Sequence, residues 1–115
     1  MSIYRAVLKQ DDSNASAWSA LAQGLHETND HLLAAEAFVK AAQLTDEPGK
    51  AVVLYNAACE YALADRLDQS IELLKKAYAA GFKDRDAVNK DPDLAKLRND
   101  PRVKELIEPG LPGKS

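Results

Sequence analysis

Few side chains in this sequence have the type and spacing to do chemistry, and each can be set against the geometry its chemistry requires. His26, Glu27 and His31 form the one cluster of histidines with a carboxylate. A helical zinc site of the hydrolytic kind needs two histidines four residues apart on one face, with a glutamate beside the first. Here the histidines are five apart and straddle the polar break Thr28-Asn29-Asp30. That spacing predicts solvent-facing turn residues, not metal ligands. Cys59 is the single cysteine, flanked by Ala58 and Glu60, with no histidine near it in sequence. A nucleophilic thiol needs a neighbouring base and a lowered pKa, so Cys59 reads as a small packing residue or a groove-lining thiol. The stretch Gly110-Leu111-Pro112-Gly113-Lys114-Ser115 has the outline of a phosphate-binding loop. Such a loop needs four residues between its glycines and a place between a strand and a helix. The glycine spacing is too short here, and residues 109–115 read as a disordered tail. Glu47, Asp65, Asp91 and Asp100 stand at expected helix starts, where a carboxylate favours the positive end of the helix dipole. No catalytic residue, metal ligand or cofactor site is predicted.

Composition narrows the class of protein further. A chain of 115 residues, 46% hydrophobic and 29% charged, predicts one folded domain. Its net charge is −3 and its longest basic run is Lys75-Lys76, which argues against a nucleic-acid partner. One cysteine allows no internal disulfide, which suits a reducing compartment. No segment approaches the roughly 20 apolar residues that span a bilayer, and the first residues lack the apolar run of a signal peptide. The expectation is a cytoplasmic protein, or one of an organelle stroma if the chain is part of a longer one, with no membrane partner.

The elements that must position these residues emerge from an internal repeat. Trp18-Ser19-Ala20-Leu21-Ala22 is followed 36 residues later by Leu54-Tyr55-Asn56-Ala57-Ala58. Ala34-Ala35-Glu36-Ala37-Phe38 is followed at the same offset by Ser70-Ile71-Glu72-Leu73-Leu74, and Ala41 by Ala77. Tyr4, Val7 and Leu8 trace an earlier half unit. Each full unit has the periodicity of two amphipathic helices. The first runs from Ala15 to about Glu27, with Asn14 as N-cap and Trp18, Leu21, Ala22 and Leu25 inward. Asp30 caps the second, whose stripe is Leu33, Ala34, Ala37, Phe38, Ala41 and Leu44. Glu47-Pro48-Gly49 interrupts and restarts the helix, because proline is tolerated in a first turn. A third helix runs to about Ala64 with Leu54, Ala57, Ala58 and Tyr61 inward. Asp65 begins a fourth, carrying Ile71, Leu74 and Ala77 and stopping at Gly81, which suits a left-handed C-terminal cap.

These residues resemble the tetratricopeptide repeat, whose signature is Trp, Leu, Gly and Tyr on one helix, then Ala, Phe, Ala and Pro. The first repeat matches it with Trp18, Leu21, Ala22, Leu25, Ala34, Phe38 and Ala41; the second, with Leu54, Ala57, Ala58, Tyr61, Ser70, Leu74 and Ala77. Ala22 and Ala58 stand where the family usually has Gly, and the repeat-ending proline is displaced to Pro48. The resemblance implies an all-α solenoid of antiparallel helix pairs forming a superhelix. It divides residues 1–108, read as one domain, into a half repeat at 3–12, repeats at 15–47 and 48–81, and capping helices at 84–108. Two Asp-Pro starts, Asp91-Pro92 and Asp100-Pro101, open the two short capping helices. Phe82, Val88, Leu94, Leu97, Val103, Leu106 and Ile107 would cover the face that the last repeat leaves open.

In this family the first helix of each repeat lines a concave groove. Carried onto this sequence, the groove residues are Ser16, Ser19, Gln23, His26 and Glu27 from one helix. The next such helix supplies Val52, Tyr55, Asn56, Cys59 and Leu63. Tyr55 is the natural anchor for a partner; the alternative is that it and Val52 pack against the capping segment or a neighbouring helix. Members that clamp a partner's C-terminal carboxylate do so with Lys and Asn residues, of which only Asn56 is matched; Ser19 and Gln23 replace two others. The resemblance therefore implies a non-catalytic module that holds a partner protein or peptide in its groove. The alternative is a C-terminal regulatory or oligomerisation domain of a larger multidomain protein. Self-association through the exposed repeat ends is a third expectation.

Overall fold

The structure, a computed structural model, describes residues 14–46, 49–84 and 87–107. The half repeat expected at residues 3–12, Glu47, Pro48 and the tail 109–115 lie outside the described residues. Every regular element among the described residues is helical. Four long helices come first: α1 (Ala15–Glu27), α2 (His31–Gln43), α3 (Gly49–Leu63) and α4 (Leu67–Ala79). Three short elements follow: α5 (Ala87–Lys90), a 3₁₀ helix (Pro92–Leu97) and α6 (Pro101–Ile107). The fold is all-α, as the periodicity predicts.

Helix ends are set by particular side chains. The Asn14 carboxamide oxygen accepts from the Ala17 amide at 3.0 Å and starts α1. Asp30 precedes α2 but makes no side-chain cap; its carboxylate accepts instead from the Thr28 hydroxyl at 2.8 Å. Asp65 likewise does not open α4, which begins at Leu67. Asn29 and Asp65 both adopt left-handed backbone conformations, with φ of 64° and 61°. This is the C′ position of a Schellman cap, where Asn and Asp are the non-glycine residues that fit best.

The two turns agree bond for bond. The Asp30 amide donates to the Leu25 carbonyl and the Arg66 amide to the Tyr61 carbonyl, both at 2.8 Å. The Asn29 amide donates to His26 at 3.0 Å and the Asp65 amide to Ala62 at 3.1 Å. Gly81 closes α4 in the same manner, with φ of 108° and the Phe82 amide donating to the Ala77 carbonyl at 2.9 Å. The 36-residue offset of the sequence is thus an offset in backbone geometry.

Each long helix packs chiefly on its neighbour in sequence. Close approach is permitted by alanines: Ala22, Ala34, Ala35, Ala41, Ala57, Ala58 and Ala77 are fully enclosed. Phe38, Leu54, Ile71 and Leu74 supply the bulk between them. Two expected core positions differ. Leu33 and Leu44 are exposed, whereas Ala35 and Ala42 are buried, because α2 is covered by α1 on one side and α3 on the other. α3 is covered on the most sides; Tyr55, Cys59 and Glu60 are buried along with its alanines.

The closing segment lies against α3 and α4. Val88, Leu94, Leu97 and Val103 are buried, and Phe82, Leu106 and Ile107 pack partly buried against them. The first of the expected short helices is a 3₁₀ helix, opened by the Asp91 carboxylate, which accepts from the Asp93 amide at 3.0 Å. The Arg98 guanidinium locks the segment, donating to the Val88 carbonyl at 2.8 Å and the Asp91 carbonyl at 3.0 Å.

Candidate functional site

α1 and α3 are not adjacent in sequence, yet their side chains meet along one edge of the stack. There they border, with the start of the 3₁₀ helix, a cleft of about 260 Å³. Gln23 and His26 come from α1, Phe38 from α2, Tyr55, Asn56, Cys59 and Glu60 from α3, and Asp91 and Asp93 from the closing segment. Five of the ten groove residues expected from sequence therefore come together: Gln23, His26, Tyr55, Asn56 and Cys59. The other five do not line this cleft. Ser16, Ser19 and Glu27 lie elsewhere on α1, Val52 stands 52% exposed, and Leu63 borders a separate depression beside Asn29 and His31.

The floor of the cleft is a hydrogen-bonded group. The Tyr55 hydroxyl donates to Asp91 Oδ2 at 2.9 Å, and the Cys59 thiol reaches the same oxygen at 3.7 Å. Phe82 stacks on the Tyr55 ring with centroids 4.4 Å apart and planes within 13°. Burial, with the Asp91 carboxylate that accepts its hydrogen bond, raises the Tyr55 phenol above its ordinary pKa. Burial, followed by the Asp91 charge, raises the Cys59 thiol in the same way. Cys59 is therefore held as a protonated thiol, the opposite of a nucleophile's environment. Tyr55 is covered by the closing segment and does not stand free as an anchor. Of the two readings the sequence allowed for it, packing against that segment is the one found.

The wall beside this floor holds a residue that sequence reasoning passed over. Glu60 is only 4% exposed, and a carboxylate so buried needs partners. It has two. His26 Nδ1 lies 2.6 Å from Glu60 Oε2, and His31 Nδ1 lies 2.8 Å from Oε1. The imidazole rings meet edge to face, with centroids 5.3 Å apart. His31 is thus not the solvent-facing turn residue its spacing predicted, and His26, although 45% of its side chain is exposed, is tethered. The Schellman turn swings His31 back beside the last turn of α1, and the packing of α3 on α2 brings Glu60 to both. The signal for Glu60 was a charged residue in the otherwise apolar run Ala57 to Ala62, on a helix flanked on both sides.

Compared with protein-family models, with curated proteins and with solved structures, the chain matches none. No helix among the described residues is long and apolar enough to cross a membrane.

Proposed function

We propose that this chain is a tetratricopeptide-type binding module, a short solenoid of stacked helix pairs that holds a segment of another protein without catalysing a reaction on it. The observation that carries the reading is the cleft between α1, α3 and the closing segment, bordered by two helices that occupy corresponding places in a 36-residue repeat. Stacked repeats present such corresponding helices as one continuous surface, which is how this architecture recognises extended ligands. Gln23 and Asn56 offer amide donors and acceptors at the rim, and Glu60, Asp91 and Asp93 make the interior acidic. A peptide bearing a basic or donor-rich side chain suits that lining better than an acidic one. The closing segment narrows the cleft, so the reading is of a short peptide held by a few side chains. We place the protein in the cytoplasm, in keeping with its single cysteine, which allows no internal disulfide.

Selection from a displayed random-peptide library tests this. The native chain should enrich peptides with Lys or Arg, and a Gln23→Arg, Asn56→Arg double variant of unchanged helicity should lose them. Failure to enrich any peptide, or equal enrichment by the variant, would sink the reading.

A further inference from the structure

The group formed by His26, His31 and Glu60 has a property that peptide holding does not use. Three potential metal ligands, from three different helices, present donor atoms that all lie within 4.8 Å of one another. We propose that these three side chains bind one divalent ion of the zinc class.

Four observations lead to this assignment. First, the donor set is two imidazole nitrogens and a carboxylate, which suits zinc and its transition-metal neighbours and not magnesium or calcium, whose ligands are oxygens. Second, both Glu60 oxygens are already directed at Nδ1 atoms, at 2.6 and 2.8 Å. Zinc bonds of roughly 2.0–2.2 Å set tetrahedral ligands about 3.3–3.5 Å apart, so entry of the ion parts each pair by about 0.5–0.9 Å. Third, two of the ligands are pre-positioned. Glu60 is buried in the wall of α3, and His31 is the first residue of α2, fixed by the turn before it. His26, the exposed one, is free to make the adjustment. Fourth, the repeat itself does not require the cluster. The second turn, identical in backbone, carries Ala62 and Leu67 where the first carries His26 and His31.

In the metal-free chain each Nδ1–H donates to a Glu60 carboxylate oxygen. On binding, each neutral imidazole loses that proton to solvent and takes one up on Nε2, so Nδ1 presents its lone pair to the ion with no net release of protons. Three protein ligands leave a fourth position, as in zinc sites that retain an exchangeable water. His26 also borders the cleft lined by Gln23, Asn56 and Cys59, so this position is open to solvent or to a ligand atom there. Metal binding does not rest on the peptide reading: His26 and Glu60 also border the peptide cleft, but they would chelate with or without a partner.

The test is titration of the full chain, metal-free and without an affinity tag, with Co²⁺ and then Zn²⁺. The expected result is one ion per chain, visible absorption bands of four- or five-coordinate Co²⁺ that Zn²⁺ bleaches, and a higher Tm with Zn²⁺ present. His26→Ala, which removes the most exposed side chain of the three and should fold, is expected to weaken Zn²⁺ binding by at least about 10-fold, as are His31→Ala and Glu60→Gln. Absence of Co²⁺ bands and of a Tm rise in the native chain overturns the proposal. So does undiminished binding by a folded His26→Ala variant. Loss of binding in Cys59→Ser but not in His26→Ala would move the ion to the neighbouring Cys59, Asp91 and Asp93 group and also overturn it.

Discussion

The turns at residues 28–30 and 64–66 share their hydrogen bonds, their left-handed residue and their place in the repeat, yet they carry different chemistry. Around the first, His26 and His31 converge on a buried carboxylate. Around the second, Ala62 and Leu67 occupy the corresponding positions, and the turn's polar contact is an exposed ion pair between Asp65 and Lys96. Backbone geometry is thus the common property of the repeat, and the site is grafted onto one copy of it. Each long helix rests mainly on its neighbours in sequence, so one turn can be decorated without disturbing the other.

The comparison predicts equality where the two units share packing. Phe38 and Leu74 occupy equivalent places in α2 and α4, and both are buried. Phe38→Ala should cost about 3–5 kcal/mol and Leu74→Ala about 2–5 kcal/mol, by the transfer and cavity terms for large-to-small changes. Urea unfolding would measure both as shifts of midpoint at constant slope. If one variant fell near zero, the repeats would not share a core.

Where the units differ, the comparison predicts inequality. Glu60→Ala removes the acceptor of two imidazole nitrogens at a buried position and should cost about 1–3 kcal/mol. Lys96→Ala removes an exposed ion-pair partner of the second turn and should stay within about 1 kcal/mol. Equal losses would mean that the first turn's polar group is no more integral than a surface pair. High salt sharpens the contrast, since it screens the exposed pair far more than the buried group.

The left-handed residues provide a smaller and more local measurement. Asn29→Ala and Asp65→Ala should each destabilise by about 1 kcal/mol, because a β-carbon without a polar group fits poorly at positive φ. Glycine at either place should be neutral or slightly stabilising. A variant with Gly at both would show whether the turns act independently, through additivity of the two shifts.

Much of this was legible in the sequence, and the gaps have physical causes. The four long helices follow from apolar spacing, and Asn14, Asp91 and Gly81 perform the capping roles their types suggest. Asp30 stands at the N-cap but without a side-chain cap, and Asp65 lies one residue before the N-cap, because Asp favours both an N-cap and the segment that follows a helix. Sequence spacing cannot tell these apart when the linker is only three residues long. The site was the harder part. His26 and His31 are visible as a pair, but their third partner lies 29 positions beyond His31 and reaches them only through the packing of α3. Tyr55 and Cys59 fall on the stripe that the family resemblance assigns to a groove. Nothing in the register says that Phe82 and Asp91 will fold back over them.

The buried hydroxyl of Ser70 measures how closely the repeats coincide. Ser70 is fully enclosed in α4 and donates its hydroxyl to the Ala58 carbonyl at 2.6 Å, bracing α4 on α3. The first unit has Ala34 and Ala22 at these positions, both enclosed, and lacks the hydroxyl. Ser70→Ala should therefore cost only about 0.5–1.5 kcal/mol, since the Ala58 carbonyl, inside α3, keeps its helical amide donor. The reverse change is the more demanding measurement. If α1 and α2 approach each other as α3 and α4 do, Ala34→Ser finds the Ala22 carbonyl within reach and changes stability by no more than about 1 kcal/mol. If the helices of the first unit lie closer, the added oxygen has no room and no acceptor, and the loss rises to about 1–3 kcal/mol. Chemical unfolding of the two single variants separates these outcomes. The second would mean that the two units share their turns but not the spacing of their helices.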